Sequence, residues 1–290
     1  MSKKKIYREY DEETLKKIQE LELEILKDFI DICEKHNLTY FGIAGTGIGA
    51  LRHHGFIPWD DDIDVALPRE DFEKLLLYVE KEMGDKYLIM NTEHYPQYPL
   101  MTTRMTLRGT KFKEEALRKI QAPMGIFLDL YPFDKVSDHP REARKQARDA
   151  WFWSKILILR NLPFPLLGFS GVKAKIIYAI CGVIHLGLKV LRVPRSWIYN
   201  KAYEAETRYN HYESTKRLNF FCDTKPFMNL YYVKDLFPLQ KLPYEDVMMN
   251  FPHNMHNNLT EMYGNYMELP PEEKRKNHYP YELQFPGKKE

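Results

Sequence analysis

The sequence predicts an α/β protein, in the α+β sense of a mixed sheet flanked by helices, with a basic helical lobe inserted into it. Three observations predict this. Segments with apolar residues every three and four positions alternate with short strand-like runs, one such run opens on a cluster of aspartates, and residues 141–217 are helical in pattern and strongly cationic. The expected division is a core over 1–140, the lobe over 141–217, and a part over 218–290 that completes the core.

At 290 residues, with 44% hydrophobic and 29% charged side chains, the chain has the composition of a folded protein with one sizeable core, and disorder is excluded. The first residues, MSKKKIYREYDEETLKK, are basic but have no apolar stretch behind them, so a secretory signal is not expected. Cys33, Cys181 and Cys222 are odd in number and widely spaced, which fits three reduced thiols of a cytosolic protein better than a disulfide framework or a zinc site. Net charge is only +2, yet residues 141–217 hold 15 Lys and Arg against 5 Asp and Glu. That lobe is at +10 and the remainder at −8. An anionic surface is the expected partner of such a lobe, with nucleic acid and a cytoplasmic membrane leaflet as the two candidates.

In chain order, Glu12 to His36 reads as an amphipathic helix capped by Asp11, with Leu15, Ile18, Leu21, Ile25, Phe29 and Ile32 on its inner face. Leu38 to Ala44 has strand composition and runs into Gly45-Thr46-Gly47-Ile48-Gly49, where positive φ and close approach are permitted. A short helix from about Ile48 to His54, stopped by Gly55, should follow, and its free N–H groups favour an anion. Asp60, Asp61, Asp62 and Asp64 then precede Val65-Ala66-Leu67, a buried strand. Alternation puts Asp62 and Asp64 on one face and Ile63 and Val65 on the other. Two carboxylates so close disfavour each other's charge unless a cation lies between them, and an all-oxygen pair suits Mg²⁺ or Mn²⁺.

Pro68 opens a helix with Phe72, Leu75, Leu76 and Val79 inward, ended by Gly84. Tyr87 to Asn91 and Leu100 to Arg108 read as strands. Ile126 to Leu130 is an apolar strand broken by Asp129, which is costly unless that carboxylate is paired or metal-bound. If it lies beside Ile63 to Leu67, Asp129 supplies a third ligand to the site of Asp62 and Asp64; the competing reading is a turn cap before Pro132, and Asp134 reads as a turn residue. Arg141 to Asn161 is helical.

From Lys173 to Arg192 the polar or small residues Lys175, Tyr178, Gly182, His185, Lys189 and Arg192 form one narrow stripe, and the rest of the circumference is apolar. Leaving Ile176, Ile177, Ile180, Val183, Ile184, Leu188 and Leu191 in water forgoes roughly 1.5–3 kcal/mol each. The uncharged run is too short to span a bilayer, which takes about 20 residues. Two readings stay open: a helix in the protein core, with His185 at the surface, or one in the membrane interface with Lys and Arg at the headgroups. Arg195 to His211 continues as helix, Leu218 to Cys222 and Leu239 to Pro243 as strands, and Asn254 to Gly264 as a glycine-ended helix.

Three blocks of the chain resemble a known family. GTGIGALRHHGFIPWDDDID resembles the signature of the LicD family, which includes fukutin and fukutin-related protein, with Arg52, His53, Gly55, Phe56, Pro58, Trp59 and the aspartates in place. GIFLDLYPFD (125–134) resembles its second acidic strand and MYGNYMELPPEEKRKNH (262–278) its C-terminal block; 141–217 carries no family signature.

The resemblance implies a polymerase β-like nucleotidyltransferase fold and a phosphotransferase that moves phosphocholine, or another alcohol phosphate, from a CDP-alcohol donor to a hydroxyl of a cell-surface glycan or its lipid-linked precursor, releasing CMP. It implies Asp62, Asp64 and Asp129, with Asp60 as a further candidate, as ligands of Mg²⁺ or Mn²⁺. Gly45, Thr46, Gly47, Arg52, His53 and Trp59 become donor-binding residues, Arg52 also a catalytic one, and Arg275 and His278 candidates from the last block. An aromatic cage for choline would draw on Trp59, Tyr95, Tyr98 and Tyr131. The implied partners are the donor and the glycan; the basic lobe and the apolar helix add, as an expectation from charge and pattern, a peripheral contact with the inner membrane leaflet, and nucleic acid is not expected. Two rival readings are a nucleotide-sugar glycosyltransferase with an Asp-x-Asp metal site and a non-catalytic membrane-associated glycan-binding scaffold.

Overall fold

The computed structural model describes residues 8–167 and 170–287. Residues 1–7, which carry most of the basic amino-terminal run, lie outside the described residues. Helix α1 (Glu12–Lys35) is capped as its sequence requires, the Asp11 carboxylate accepting from the Thr14 N–H at 2.8 Å. It buries Ile18, Ile25, Leu26, Phe29, Ile32 and Cys33 against the sheet.

The chain then alternates between strands and helices. It makes β1 (Phe41–Gly42), α2 (Ala44–Arg52), β2 (Asp64–Pro68), α3 (Arg69–Met83), β3 (Tyr87–Met90), β4 (Thr103–Leu107), β5 (Lys111–Glu114) and β6 (Phe127–Lys135). Three helices follow, α4 (Pro140–Asn161), α5 (Val172–Val190) and α6 (Arg195–Glu206). The remainder comprises β7 (Arg217–Phe220), β8 (Asn229–Tyr232), the single turn α7 (Val233–Leu236), β9 (Gln240–Tyr244), β10 (Val247–Phe251), α8 (His256–Tyr263) and β11 (Pro280–Gln284).

The central sheet is mixed. Its order is β1-β2-β6-β4-β3, and β7 and β8 extend it from the far end of β6. Among these pairs only β2 and β6 run parallel, with Asp64 opposite Asp129, while β1, β4 and β7 lie antiparallel to their neighbours. One face, with Ile63, Val65, Leu67, Leu128 and Leu130, packs on α1 and α3. The other, with Phe41, Ala66 and Phe133, packs on α4 and α6. Small residues make the second contact close: Ala143, Ala147 and Ala150 of α4 meet Ala202 and Ala205 of α6.

Several expectations are corrected. The glycine segment is helix, not turn: α2 already begins at Ala44, which takes a φ of 47°, so β1 shrinks to two residues. Its end is set by His54 at φ 59°, not by Gly55. Both glycines serve packing: a Cβ at Gly55 would stand 1.9 Å from Glu245 Oε1, and one at Gly49 would stand 2.3 Å from the Gly55 carbonyl oxygen.

Strand β6 runs through Pro132 to Lys135, so Asp134 is not a turn residue. It is fully buried and bound by Arg69 through two hydrogen bonds of 2.9 and 2.6 Å. Pro132 is tolerated because β4 pairs only as far as Leu130 and β7 begins at Asp134, so no ladder partner on that edge needs its missing N–H. Nor is the His185 side chain turned to solvent. Its Nδ1 lies 2.6 Å from the Leu159 carbonyl oxygen of α4. The three cysteines are free thiols, all buried.

Candidate functional site

The parallel pairing of β2 with β6 puts Asp64 level with Asp129 at the strand starts, and the loop before β2 delivers Asp62. One carboxylate oxygen from each of Asp62, Asp64 and Asp129 lies within 4.8 Å of the others, and Asp60, Asp61 and Asp62 form a second such group. The donor set is all oxygen. The Asp64 Oδ1 atom is buried and has no hydrogen-bond partner, which is the position an ion would fill. Burial, with Asp62 and Asp129 next to it, pushes the Asp64 carboxyl well above the usual carboxylate range. The residues present therefore fit a hard divalent cation.

Each carboxylate is braced differently. Arg104 of β4 donates from Nε to Asp129 Oδ1 at 2.9 Å, and from its two terminal nitrogens to Glu114 at 3.1 and 3.3 Å. Burial still raises the Asp129 carboxyl, with Arg104 opposing it. Asp61 is fully buried and accepts from the Tyr10 hydroxyl at 2.5 Å and the His278 N–H at 2.8 Å; burial lifts its pKa to about 6. His278 also places Nε2 3.1 Å from Asp62 and Nδ1 2.6 Å from Glu114. Burial favours the neutral ring, but the two carboxylates outweigh it and hold the imidazole well above its ordinary range. In turn, burial would raise the Asp62 carboxyl, and the charge and hydrogen bond of His278 bring it below the usual value. Behind them Glu22 of α1 is fully buried with neither oxygen partnered, and burial, with Asp62 and Asp61 nearby, pushes its carboxyl well above the usual range.

A cleft of about 630 Å³ opens onto this cluster. Asp60, Asp62 and Asp64 line one side, and Lys274, Arg275, Lys276 and His278 come from the segment before β11. That segment is anchored beyond the cleft, where β11 pairs antiparallel with β5. Within the cleft the Arg275 guanidinium lies over the Trp59 ring, 4.3 Å from its centroid.

The other sequence-derived candidates divide. Gly45 lines the cleft, and a Cβ there would stand 3.0 Å from Asp60 Oδ2. Arg52 lines it too, but its terminal nitrogen donates to the Tyr266 and Glu268 carbonyls at 2.5 and 3.2 Å, so it holds the C-terminal segment in place. Thr46 and Gly47 are buried and do not line the cleft. Thr46 Oγ1 accepts from the Asp64 N–H at 2.8 Å, which fixes the start of β2, and Gly47 packs on Met255. His53 lies outside the cleft, its Nε2 accepting from Arg52 Nε at 2.8 Å; burial and the Arg52 charge lower its pKa. Of the cage aromatics only Trp59 lines the cleft, joined by Tyr263 and Tyr266. Tyr95 and Tyr98 sit in a separate cluster with Met90 and Leu117, and Tyr131 packs edge-on against Phe220.

Sequence reasoning missed Arg104, Glu114, Tyr10 and Glu22. Arg104 left a signal of the kind that singled out Asp129, a charge inside an apolar strand; Glu114 left none.

The comparisons with known proteins place this arrangement in a class. The model of the LicD/FKTN/FKRP nucleotidyltransferase domain matches residues 37–175, which include β2, β6 and all three clustered aspartates. Over 274 residues the chain is 27% identical to the lipopolysaccharide cholinephosphotransferase LicD of Haemophilus influenzae, an alignment covering 92% of this chain and 96% of that protein. Shorter matches join it to uncharacterized proteins of Rickettsia typhi, 39% identical over 56 residues and 18% of each chain, and Rickettsia prowazekii, 42% identical over 48 residues, 17% of this chain and 18% of that one. The chain is thus similar to the LicD family over residues 37–175 and to a protein of that name over 92% of its length.

Proposed function

We propose that this chain is a divalent-metal-dependent phosphotransferase. It moves an alcohol phosphate from a CDP-alcohol donor to a hydroxyl of a cell-surface glycan or its lipid-linked precursor, releasing CMP. The observation that carries the reading is the convergence of Asp62, Asp64 and Asp129, with Asp64 Oδ1 unpartnered, where Asp62 and Asp64 line a cleft that Lys274, Arg275 and Lys276 line as well. The likeness to a cholinephosphotransferase along most of both chains supports the reaction class.

In the reaction the acceptor oxygen bonds to the phosphorus that carries the alcohol, the bond from that phosphorus to the bridging oxygen of CMP breaks, and the acceptor proton goes to a base. Asp62, Asp64 and Asp129 would hold Mg²⁺ or Mn²⁺, which supplies positive charge for the donor diphosphate and the leaving CMP. Arg275, Lys274 and Lys276 line the cleft and would bind the donor's phosphates, while Arg104 and His278 keep Asp129 and Asp62 in position. Asp60 lines the cleft and its carboxyl is raised by burial and by Asp62, the property needed for Oδ2 to accept the acceptor's proton. Trp59, Tyr263 and Tyr266 present ring surfaces on which a quaternary ammonium or a polyol chain can rest.

The test is to incubate the protein with Mg²⁺ and CDP-choline, CDP-ribitol or CDP-glycerol, with UDP-sugars in parallel, and to measure the nucleotide released. CMP from one CDP-alcohol, lost in Asp64→Asn, is the expected result. UDP release instead, or cellular function surviving Asp62→Ala and Asp64→Ala, would defeat the proposal.

A further inference from the structure

Helix α5 is built inside out. The residues turned to the protein are mostly small or polar: Ala174 and Cys181 are buried, His185 contacts the Leu159 carbonyl, and the Tyr178 ring meets Phe164 edge-on at 6.0 Å between centroids. Val172, Ile176, Ile180, Val183, Leu186 and Val190, spaced by three and four, stand on the outside with between 53% and 74% of their surface exposed. In the segments that flank the helix, Leu166, Leu191 and Trp197 are exposed as well, at 46–76%. A contiguous apolar face of this kind marks an interaction site.

Charge selects the partner. Between Ala150 and Tyr203 the sequence has eight Lys and Arg and no Asp or Glu. Lys175, Lys189 and Arg192 are exposed at the two ends of the stripe, and among the described residues none of them forms an ion pair. A second copy docking by the same face across a twofold axis would set these cations against each other. An anionic surface with an apolar interior meets both the stripe and its border. Among the described residues no single helix is long and apolar enough to cross a membrane. The bent pair of α5 with Arg195–Tyr209 passes on length and composition together, but α6 buries Ile198, Ala202 and Ala205 against the protein.

We propose that the outer face of α5 docks in the plane of an anionic phospholipid surface, with Ile176, Ile180 and Val183 at the acyl boundary and Lys175, Lys189 and Arg192 at the headgroup phosphates. This stands apart from the phosphotransfer reading, since it involves no residue of the cleft. The test is co-sedimentation of the full-length protein, without donor, with vesicles of phosphatidylglycerol and phosphatidylcholine and with phosphatidylcholine alone. The protein is expected to pellet with the anionic vesicles, less as salt rises, and at least about tenfold less after Val183→Glu or after Lys175→Glu with Lys189→Glu. These positions are exposed, so unchanged far-UV circular dichroism will accompany the loss. Absence from both pellets, equal pelleting with both vesicle types, or Val183→Glu binding like wild type overturns the proposal. So does a concentration-dependent dimer that Val183→Glu dissolves in the absence of vesicle binding.

Discussion

Arg104 and Asp129 are directly opposite each other in the antiparallel register of β4 and β6, and the Arg104 Nε donates to Asp129 Oδ1 at 2.9 Å. Both side chains are nearly excluded from water, and the same guanidinium spans to Glu114. Removing one partner of a buried ion pair leaves an uncompensated charge, at a cost of about 3–5 kcal/mol. Arg104→Met is therefore expected to lower the urea unfolding free energy by that order. A change below about 1 kcal/mol would show that the pairing is not what holds Asp129.

The carboxylates of Asp62, Asp64 and Asp129 repel one another in the metal-free protein. Asp64→Asn removes one charge from the cluster, so in EDTA the variant is expected to melt at or above the wild-type temperature. Adding Mg²⁺ or Mn²⁺ should raise the melting temperature of the wild type and leave the variant nearly unmoved, because a ligand that binds only the folded state stabilises it. Equal metal-induced shifts in the two proteins would remove Asp64 from the ligand set.

Glu206 sits fully buried beside the Arg69–Asp134 pair, and burial, opposed by Arg69, raises its pKa to about 7. The folded state thus holds a proton that the unfolded chain gives up near the ordinary glutamate value. That contribution is present in full below the unfolded pKa and is lost as pH rises to about 7, at up to about 1.4 kcal/mol per pH unit. Denaturation in EDTA between pH 5 and pH 7.5 should show a downward slope in the wild type that is shallower in Glu206→Gln. Parallel slopes would place the titration elsewhere.

A Cβ on Gly49 would meet the backbone oxygen of Gly55, which no side-chain motion can relieve. Gly49→Ala is expected to cost about 1–3 kcal/mol and to disturb the loop leading into Asp60. Thermal unfolding and metal affinity measured together check both effects.

Much of this was legible in the sequence because it depends on local pattern. The periodicity of α1, the alternation around Ile63 and Val65, and the cost of a lone aspartate in IFLDL are properties of consecutive residues, and they led to three carboxylates that meet. What could not be read depends on register and on distant neighbours. Arg104 reaches Asp129 only because β4 pairs with β6 in one particular alignment, and a shift of one residue would turn it to the other face. Asp134 looked like a turn residue because a proline usually ends a strand, and only the gap between β4 and β7 lets β6 continue. The glycines of α2 suggested a turn, whereas at Gly49 the Gly55 carbonyl oxygen requires a glycine within a helix. The polar stripe of α5 was visible, but not that its middle, Tyr178 and His185, turns to the protein while Lys175, Lys189 and Arg192 stay exposed, because that is decided by Leu159 and Phe164 on a different segment.

His278 is separated from Asp61 by 217 positions, yet it supplies the N–H that Asp61 accepts and the ring that neutralises Asp62. During synthesis the aspartates leave the ribosome long before that histidine exists. A nascent chain therefore passes through a stage in which its acidic loop has no basic counterweight from the tail, and a product truncated before residue 278 would keep the three aspartates but lack the ring that faces Asp62 and Glu114.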